Sequence, residues 1–349
     1  MSALPTRRLP TNKRGERGRV IVVLNHKGGS CKTTSCYMIG CESAKAGNRN
    51  LFVDADTQMN LSGLLRHNSA RFSGNIAGAL EESALDPWNP ETIKRQITWF
   101  KFKHFGPKLY LVPGYYKLDD TMAQLERAAR YSGPEVSLRL KQAFDVLRPY
   151  FNFIFVDTSP AIASMPGSLA LNAADHLLIP VDGLRAVEGA VQVLKRVRDN
   201  HGFRVAHGLG PLDVTLYSSR LEKNRLAIPY GPEGVRNADW YPLLCQVFPG
   251  HFLRPVIYQS GTVPRADTDR MVYQGMLTKT RNEYRTLHAA FMDRISHPAT
   301  PLSTLLFEGK VDLDALGSKV SSLVTKEDRG VTQGQALLAK TRAILGAAS

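Results

Sequence analysis

The stretch that most limits how this chain can fold is residues 20–37, VIVVLNHKGGSCKTTSCY. An apolar, β-branched run gives way to a Gly-Gly turn and then to a helix that opens on Lys-Thr-Thr. Gly28 and Gly29 lack a Cβ, so the backbone there can fold tightly and turn its N–H groups inward. The positive end of the following helix dipole falls at the same place. A strand, a glycine turn and a helix in this order have the layout of a phosphate-binding loop. Lys32 then supplies a mobile cation, and the Thr33 hydroxyl is placed to hold a magnesium ion.

The strict pattern G-x-x-x-x-G-K-[ST] is not met, because His26 and Cys31 stand at its two glycine positions. What remains is K-G-G-x-x-K-T-T, with Lys27 just ahead of the glycines. This resembles the deviant P-loop of the ParA/MinD family of ATPases, closest to the ParA-type partition ATPases. The resemblance implies an ATP site formed by Lys27, Gly28, Gly29, Ser30, Cys31, Lys32, Thr33 and Thr34. It also implies that Lys27 crosses a dimer interface to touch the partner's nucleotide. Cys31 departs from the family, which usually has glycine before the second lysine. A Cβ there is expected to crowd the phosphates or weaken turnover.

Two later segments fit the same scheme. Asn50 to Asp54, NLFVD, reads as a short buried strand that delivers DADTQMN at its carboxyl end. It resembles the family's D-x-D-x-Q segment, and ligands of parallel sheets lie beyond the carboxyl ends of strands. By resemblance, Asp56 positions the attacking water and Asp54 supports the metal shell. Asn152 to Asp157, NFIFVD, has the Walker B layout, a buried strand aiming one carboxylate at the magnesium shell. The family reads D-T-P-P there; here Ser159 replaces the first proline. The strand His176 to Val181 follows, and the loop around Pro180 flanks the adenine in relatives.

Strands alternating with helices predict an α/β P-loop NTPase fold, a mostly parallel twisted sheet with helices on both faces. At 349 residues and 43% hydrophobic, the chain is long enough for a sizeable core. The boundaries expected are a disordered basic arm at 1–19, an ATPase domain at 20–297 and a tail at 298–349. The arm carries six basic residues against Glu16 alone. A glycine-broken helix is expected over Ser62 to Glu82, and helices over Leu118 to Tyr131, Val136 to Arg148 and Met276 to Ile295. WFKFKHF at 99–105 interleaves cations with aromatics, which suits nucleic acid. It also alternates like an edge strand guarded by lysines, which is the favoured reading.

A formal net charge of +14 points to a polyanionic partner. By resemblance that partner is nonspecific DNA, bound by an ATP-dependent homodimer whose turnover a ParB-like protein stimulates. Arg254, Arg265 and Arg270 are the candidate contacts. Four cysteines without a C-x-x-C pair argue against a disulfide framework or a tetrahedral metal site. With no secretory h-region and no membrane-length apolar run, a cytoplasmic, nucleoid-associated protein is expected. ATP and Mg²⁺ are the expected cofactors. A MinD-like membrane cycle is the alternative, suggested by the short amphipathic stretch QALLAKTRAIL at 335–345. A further alternative is a nucleotide-binding scaffold with little turnover. An electron-transfer ATPase like the nitrogenase iron protein is set aside, because Cys245 is the only cysteine beyond the P-loop helix.

Overall fold

The structure is a computed structural model, and it describes residues 17–65, 74–81, 88–100, 109–160, 165–221, 229–230, 235–236, 240–258 and 278–325. An eight-stranded sheet runs through its centre. In chain order the strands are β1 (Arg19–Val23), β2 (Asn50–Ala55), β3 (Thr98–Phe100), β4 (Leu109–Val112), β5 (Phe153–Thr158), β6 (His176–Val181) and β7 (Asp213–Leu221). A separate two-stranded ribbon, β8 (Pro229–Tyr230) and β9 (Val235–Arg236), precedes β10 (Phe252–Tyr258). The spatial order is β10-β7-β6-β1-β5-β2-β4-β3. Every neighbour pair is parallel except β3 with β4. The α/β fold read from the sequence is the one observed.

The middles of the central strands β1, β2, β5 and β6 are apolar runs because both faces of the sheet are covered there. Side chains alternate between the faces with period two. Val20 and Val22 of β1, with Leu51, Val53, Ile154 and Val156, enter one core. Ile21, Val23, Phe52 and Phe155 enter the other. The second core is capped by α1 (Lys32–Lys45) and α9 (Thr278–Ser296), which contribute Tyr37, Met38, Tyr284, Leu287 and Phe291. Gly40 lets α1 lie close to the sheet: a Cβ there would meet the Phe52 ring at 2.3 Å. The first core is covered by α3 (Ile76–Leu80), α4 (Leu118–Ser132), α5 (Arg139–Leu147), α6 (Met165–Ala173), α7 (Leu184–Ala206) and α8 (Trp240–Val247).

Several boundaries differ from the sequence reading. Ser62 to Glu82 is not one helix. A short α2 (Asn60–Leu65) is followed, beyond residues 66–73, by α3, which Asn75 caps by accepting a hydrogen bond from the Gly78 N–H. Pro134 opens a 3₁₀ turn ahead of α5, so that helix begins at Arg139 and not Val136. The proposed basic arm does not extend to residue 19. Arg19 starts β1, Gly18 is buried, and Arg17 pairs with Asp145 at 2.8 Å. Residues 1–16 lie outside the described part.

The core also continues past residue 297. Leu302 and Leu306 of α10 (Leu302–Phe307) are buried in the first core, as are Leu313, Leu316, Val320 and Val324 of α11 (residues 313–325). At least residues 302–325 of the expected tail therefore belong to the folded body. The stretch 335–345 lies outside the described residues, as do 101–105 of the basic aromatic segment. Its first two residues, Trp99 and Phe100, do lie in an antiparallel edge strand, β3. Among the described residues, no helix is long and apolar enough to cross a membrane.

Candidate nucleotide site

β1 lies between β5 and β6, so the strand order reverses around it. Ligands of open parallel sheets bind where this happens, beyond the carboxyl ends of the strands. The loop from Leu24 to Cys31 occupies that place. Asn25, fully buried, holds it there: its Nδ2 donates to the Pro180 carbonyl at 2.7 Å and to the Ala186 carbonyl at 3.1 Å. Its Oδ1 accepts from the Lys27 N–H at 2.9 Å. One amide side chain thus ties the loop to the end of β6 and the start of α7. Ser30 adds a bond to the Lys27 carbonyl, and Ser219 of β7 reaches the Ser30 carbonyl.

Gly28 and Gly29 are exposed, and a Cβ on either would meet nothing within 4 Å among the described residues. The space over the loop is open. Gly29 has φ 76°, and Cys31, the residue before α1, has φ 63° and ψ 24°. Both are left-handed. At Gly29 this is free; at Cys31 it costs about 1–2 kcal/mol. The departure noted in the sequence therefore has a backbone meaning: the position asks for glycine because of its φ.

The two lysines are held differently. Lys32 is buried, and its ammonium donates to the Lys27 carbonyl at 3.1 Å. Burial lowers its pKa, while the charges of Asp157, Asp56 and Asp182 oppose that shift. Lys27 is 31% exposed and forms an ion pair with Asp182 at 2.9 Å, whose carboxylate is fully buried. Asp182 stands just past β6, and the sequence reading did not single it out. Its only signal was an acidic residue directly after an apolar strand end.

Three aspartates gather at the ends of β2 and β5. Asp54 and Asp157 are register partners on these adjacent strands. Asp157 is fully buried, and neither of its oxygens accepts a well-formed hydrogen bond among the described residues. Burial pushes its pKa well above the carboxylate range, and the charge of Asp54 adds to this; Thr33 and Lys32 act the other way. Asp54 is pushed up to about 6, chiefly by burial. Its Oδ2 accepts from both the N–H and the hydroxyl of Ser62 at 2.7 Å, and its Oδ1 from the Asp56 N–H at 3.3 Å. Ser62 in turn accepts from the Gly114 N–H. These bonds tie Asp54 to the acidic loop, and the part Ser62 takes in them was not visible in the sequence alone. Asp56, also buried, caps a local turn through the Gln58 N–H at 3.0 Å.

These residues fit a magnesium nucleotide. A buried carboxylate with no well-formed hydrogen bond among the described residues, beside a hydroxyl and an open glycine loop, is the donor set such a group needs. Magnesium usually keeps several waters and takes one or two carboxylates plus phosphate oxygens, so it does not require a protein cage. Among the described residues no such cage of three or more His, Cys, Asp or Glu exists. Pro180, buried in β6, is brought to the same end of the sheet. Arg254 is exposed on the edge strand β10, away from this cluster. Arg265 and Arg270 lie outside the described residues. All four cysteines are free thiols.

Comparison with known proteins agrees with this geometry. The AAA domain family matches residues 18–202. The sporulation initiation inhibitor protein Soj of Bacillus subtilis is 28% identical over 186 residues, 52% of this chain and 65% of that protein. The chromosome partitioning protein ParA of Myxococcus xanthus is 30% identical over 220 residues, 59% of this chain and 70% of that one. Among solved structures, an ATP complex of a Cyanothece McdA variant superposes with a TM-score of 0.62 at 18% identity, covering 79% of this chain and 97% of that one. The matched span covers more than half of the sequence and contains the loop, the acidic turn and the buried aspartate, so the chain belongs to the AAA domain family and is of the ParA/MinD type.

Proposed function

We propose that this chain is a magnesium-dependent ATPase that closes two copies of itself on ATP, binds DNA without regard to sequence, and positions or segregates DNA or another cargo. The observation that carries this reading is Asp157, a fully buried carboxylate with no well-formed hydrogen bond among the described residues, beside Lys32 and Thr33 at the foot of an open glycine loop. A buried charge is tolerated when a counter-charge arrives, and a dication supplies it.

In this reading Thr33 and Asp157 hold the metal, while Asp54 fixes the loop that carries Asp56. Magnesium, when bound, neutralises phosphate charge. Lys32 binds the β- and γ-phosphates, and the backbone N–H groups from Gly28 to Thr34 cradle them. Asp56 orients the attacking water. Lys27 leaves Asp182 and reaches the partner's phosphates, exchanging one carboxylate for a more highly charged anion. Pro180 borders the base. The names of the relatives, which concern chromosome partitioning, support the cargo reading. The net charge of +14 supports a DNA surface, with Arg254, Arg265 and Arg270 as contacts that salt should weaken. A ParB-like protein accelerates the slow step.

The test is nucleotide binding with and without magnesium, followed by phosphate release with and without DNA. Magnesium-dependent binding of ATP is expected, with slow release. Lys27→Ala should retain binding by single copies and lose ATP-dependent dimers on size-exclusion light scattering. No affinity for magnesium ATP would overturn the reading.

A further inference from the structure

α11 lies along α7 in the opposite sense. Lys195 of α7 pairs with Asp314 at 2.5 Å, and Ser321 donates to Glu188 at 3.2 Å, so the later residues of α11 pair with the earlier residues of α7. Those earlier residues begin at Leu184, next to the loop that carries Asp182. A hollow of about 800 Å³ opens between the two helices and continues up to His26 and Lys27 of the glycine loop. Gln192 and Lys195 of α7 and Gly317, Ser318 and Ser321 of α11 share its walls.

The two ends of this hollow are mechanically joined. Gly189 of α7 packs against the loop so closely that a Cβ would fall 2.4 Å from the Asn25 Oδ1 and 2.9 Å from the Lys27 N. On the other side, Leu313, Leu316 and Val320 of α11 are buried in the same core as Val187, Val191 and Leu194 of α7. The loop, α7 and α11 thus form one packed unit. Its exposed rim on α11 is mostly short side chains: Asp314, Ala315, Ser318, Ser321 and Ser322 are exposed, with Lys319 the longer exception. A surface of this kind admits close approach by another backbone.

We infer that α11 forms an outer wall of the interface between two copies of this chain, so that the second copy seats in the hollow between α7 and α11 when Lys27 crosses over. This rests on the reading that ATP closes two copies through Lys27. The occupant is argued from that crossing: the copy that Lys27 reaches comes against the surface beside Lys27, and the hollow is continuous with that surface.

Two measurements on the full-length protein test it. With magnesium and a non-hydrolysable ATP analogue, amide exchange over residues 313–325 should slow at least tenfold relative to the ADP state. Ser318→Arg, at an exposed position, should weaken dimerisation at least tenfold in sedimentation while leaving ADP affinity and thermal stability at wild-type values. A wild-type dimer whose residues 313–325 exchange as in the ADP state overturns this inference and leaves the ATPase reading standing. So does a Ser318→Arg protein that dimerises as tightly as wild type. A wild-type protein that stays monomeric with the analogue overturns both.

Discussion

The two ends of the central sheet are built from the same strands and treat buried charge in opposite ways. At the amino ends, acids and bases are matched. Arg148 pairs with Asp175 through both of its terminal nitrogens and with Asp145 through Nε. Arg294 donates to Asp213 at 2.8 Å and to the Gly250 carbonyl at 3.1 Å, leaving one nitrogen without a partner among the described residues. His176, the first residue of β6, bonds Thr215 at 2.7 Å, and burial holds its pKa down at about 3. At the carboxyl ends, Asp157 has no well-formed hydrogen bond among the described residues, Asp54 is pushed up to about 6, and burial lowers the pKa of Lys32. The amino end matches most of its buried charge within the chain, Arg294 Nη1 aside, while at the carboxyl end Asp157 has no such match among the described residues. The first serves stability; the second is where a ligand can be felt.

The comparison can be broken most sharply at the amino end. Arg294→Met removes one partner of a buried pair and should cost about 3–5 kcal/mol in urea unfolding. Nucleotide affinity of the folded fraction should stay unchanged, and a parallel loss of affinity would mean that the two ends are not separable.

The next effect is about 3 kcal/mol and concerns pH. Because the folded pKa of Asp54 is raised from 3.8 to about 6, its contribution is full below pH 3.8 and is lost as pH rises through 6. His176 has the reverse sign: its lowered pKa gives stability above pH 6.5 that is lost as pH falls toward 3. Asp54→Asn removes only the first term. The stability difference between variant and wild type should therefore move by about 3 kcal/mol in the variant's favour between about pH 4 and 6. A difference flat across that window would contradict the burial of a charged Asp54.

Asp157→Asn sharpens the contrast further. Replacing Asp157 by a neutral amide removes the cost of ionising a fully buried carboxyl and should stabilise the ligand-free protein by about 1–3 kcal/mol at neutral pH. It should also abolish the part of nucleotide affinity that depends on magnesium, read by titration with and without the metal. Destabilisation would show that the carboxylate is already satisfied. The smallest effect belongs to the loop itself. Cys31→Gly should relieve a left-handed φ and gain about 1 kcal/mol, seen as a rise of a few degrees in thermal melting, without loss of nucleotide affinity.

Much of this was legible in the sequence where local rules act. The apolar strands β1, β2 and β5 and the glycine turn declare themselves, because strand burial and tight backbone both need particular side chains at particular spacings. Asp54, Asp56 and Asp157 follow from their position at strand ends. Partnerships across the chain were not legible. Asp182 meets Lys27, Ser62 meets Asp54, and Arg294 meets Asp213 only once the sheet is assembled, and no short-range pattern encodes them. The backbone demand at Cys31 was visible only as a missing glycine. Leu313, Leu316, Val320 and Val324 do show a helical stripe, but a stripe does not say what it packs against, so the motifs alone place the boundary at 297, too early for the folded core.

That early boundary has a practical edge. Anyone trimming this protein to the length its motifs suggest would peel Leu302, Leu306 and the α11 leucines and valines from their seats. Each fully buried side chain of this kind is worth about 1.5–3 kcal/mol. The shortened product would carry a bare greasy furrow along α7, and it should come out of the cell as aggregate long before its chemistry could be assayed.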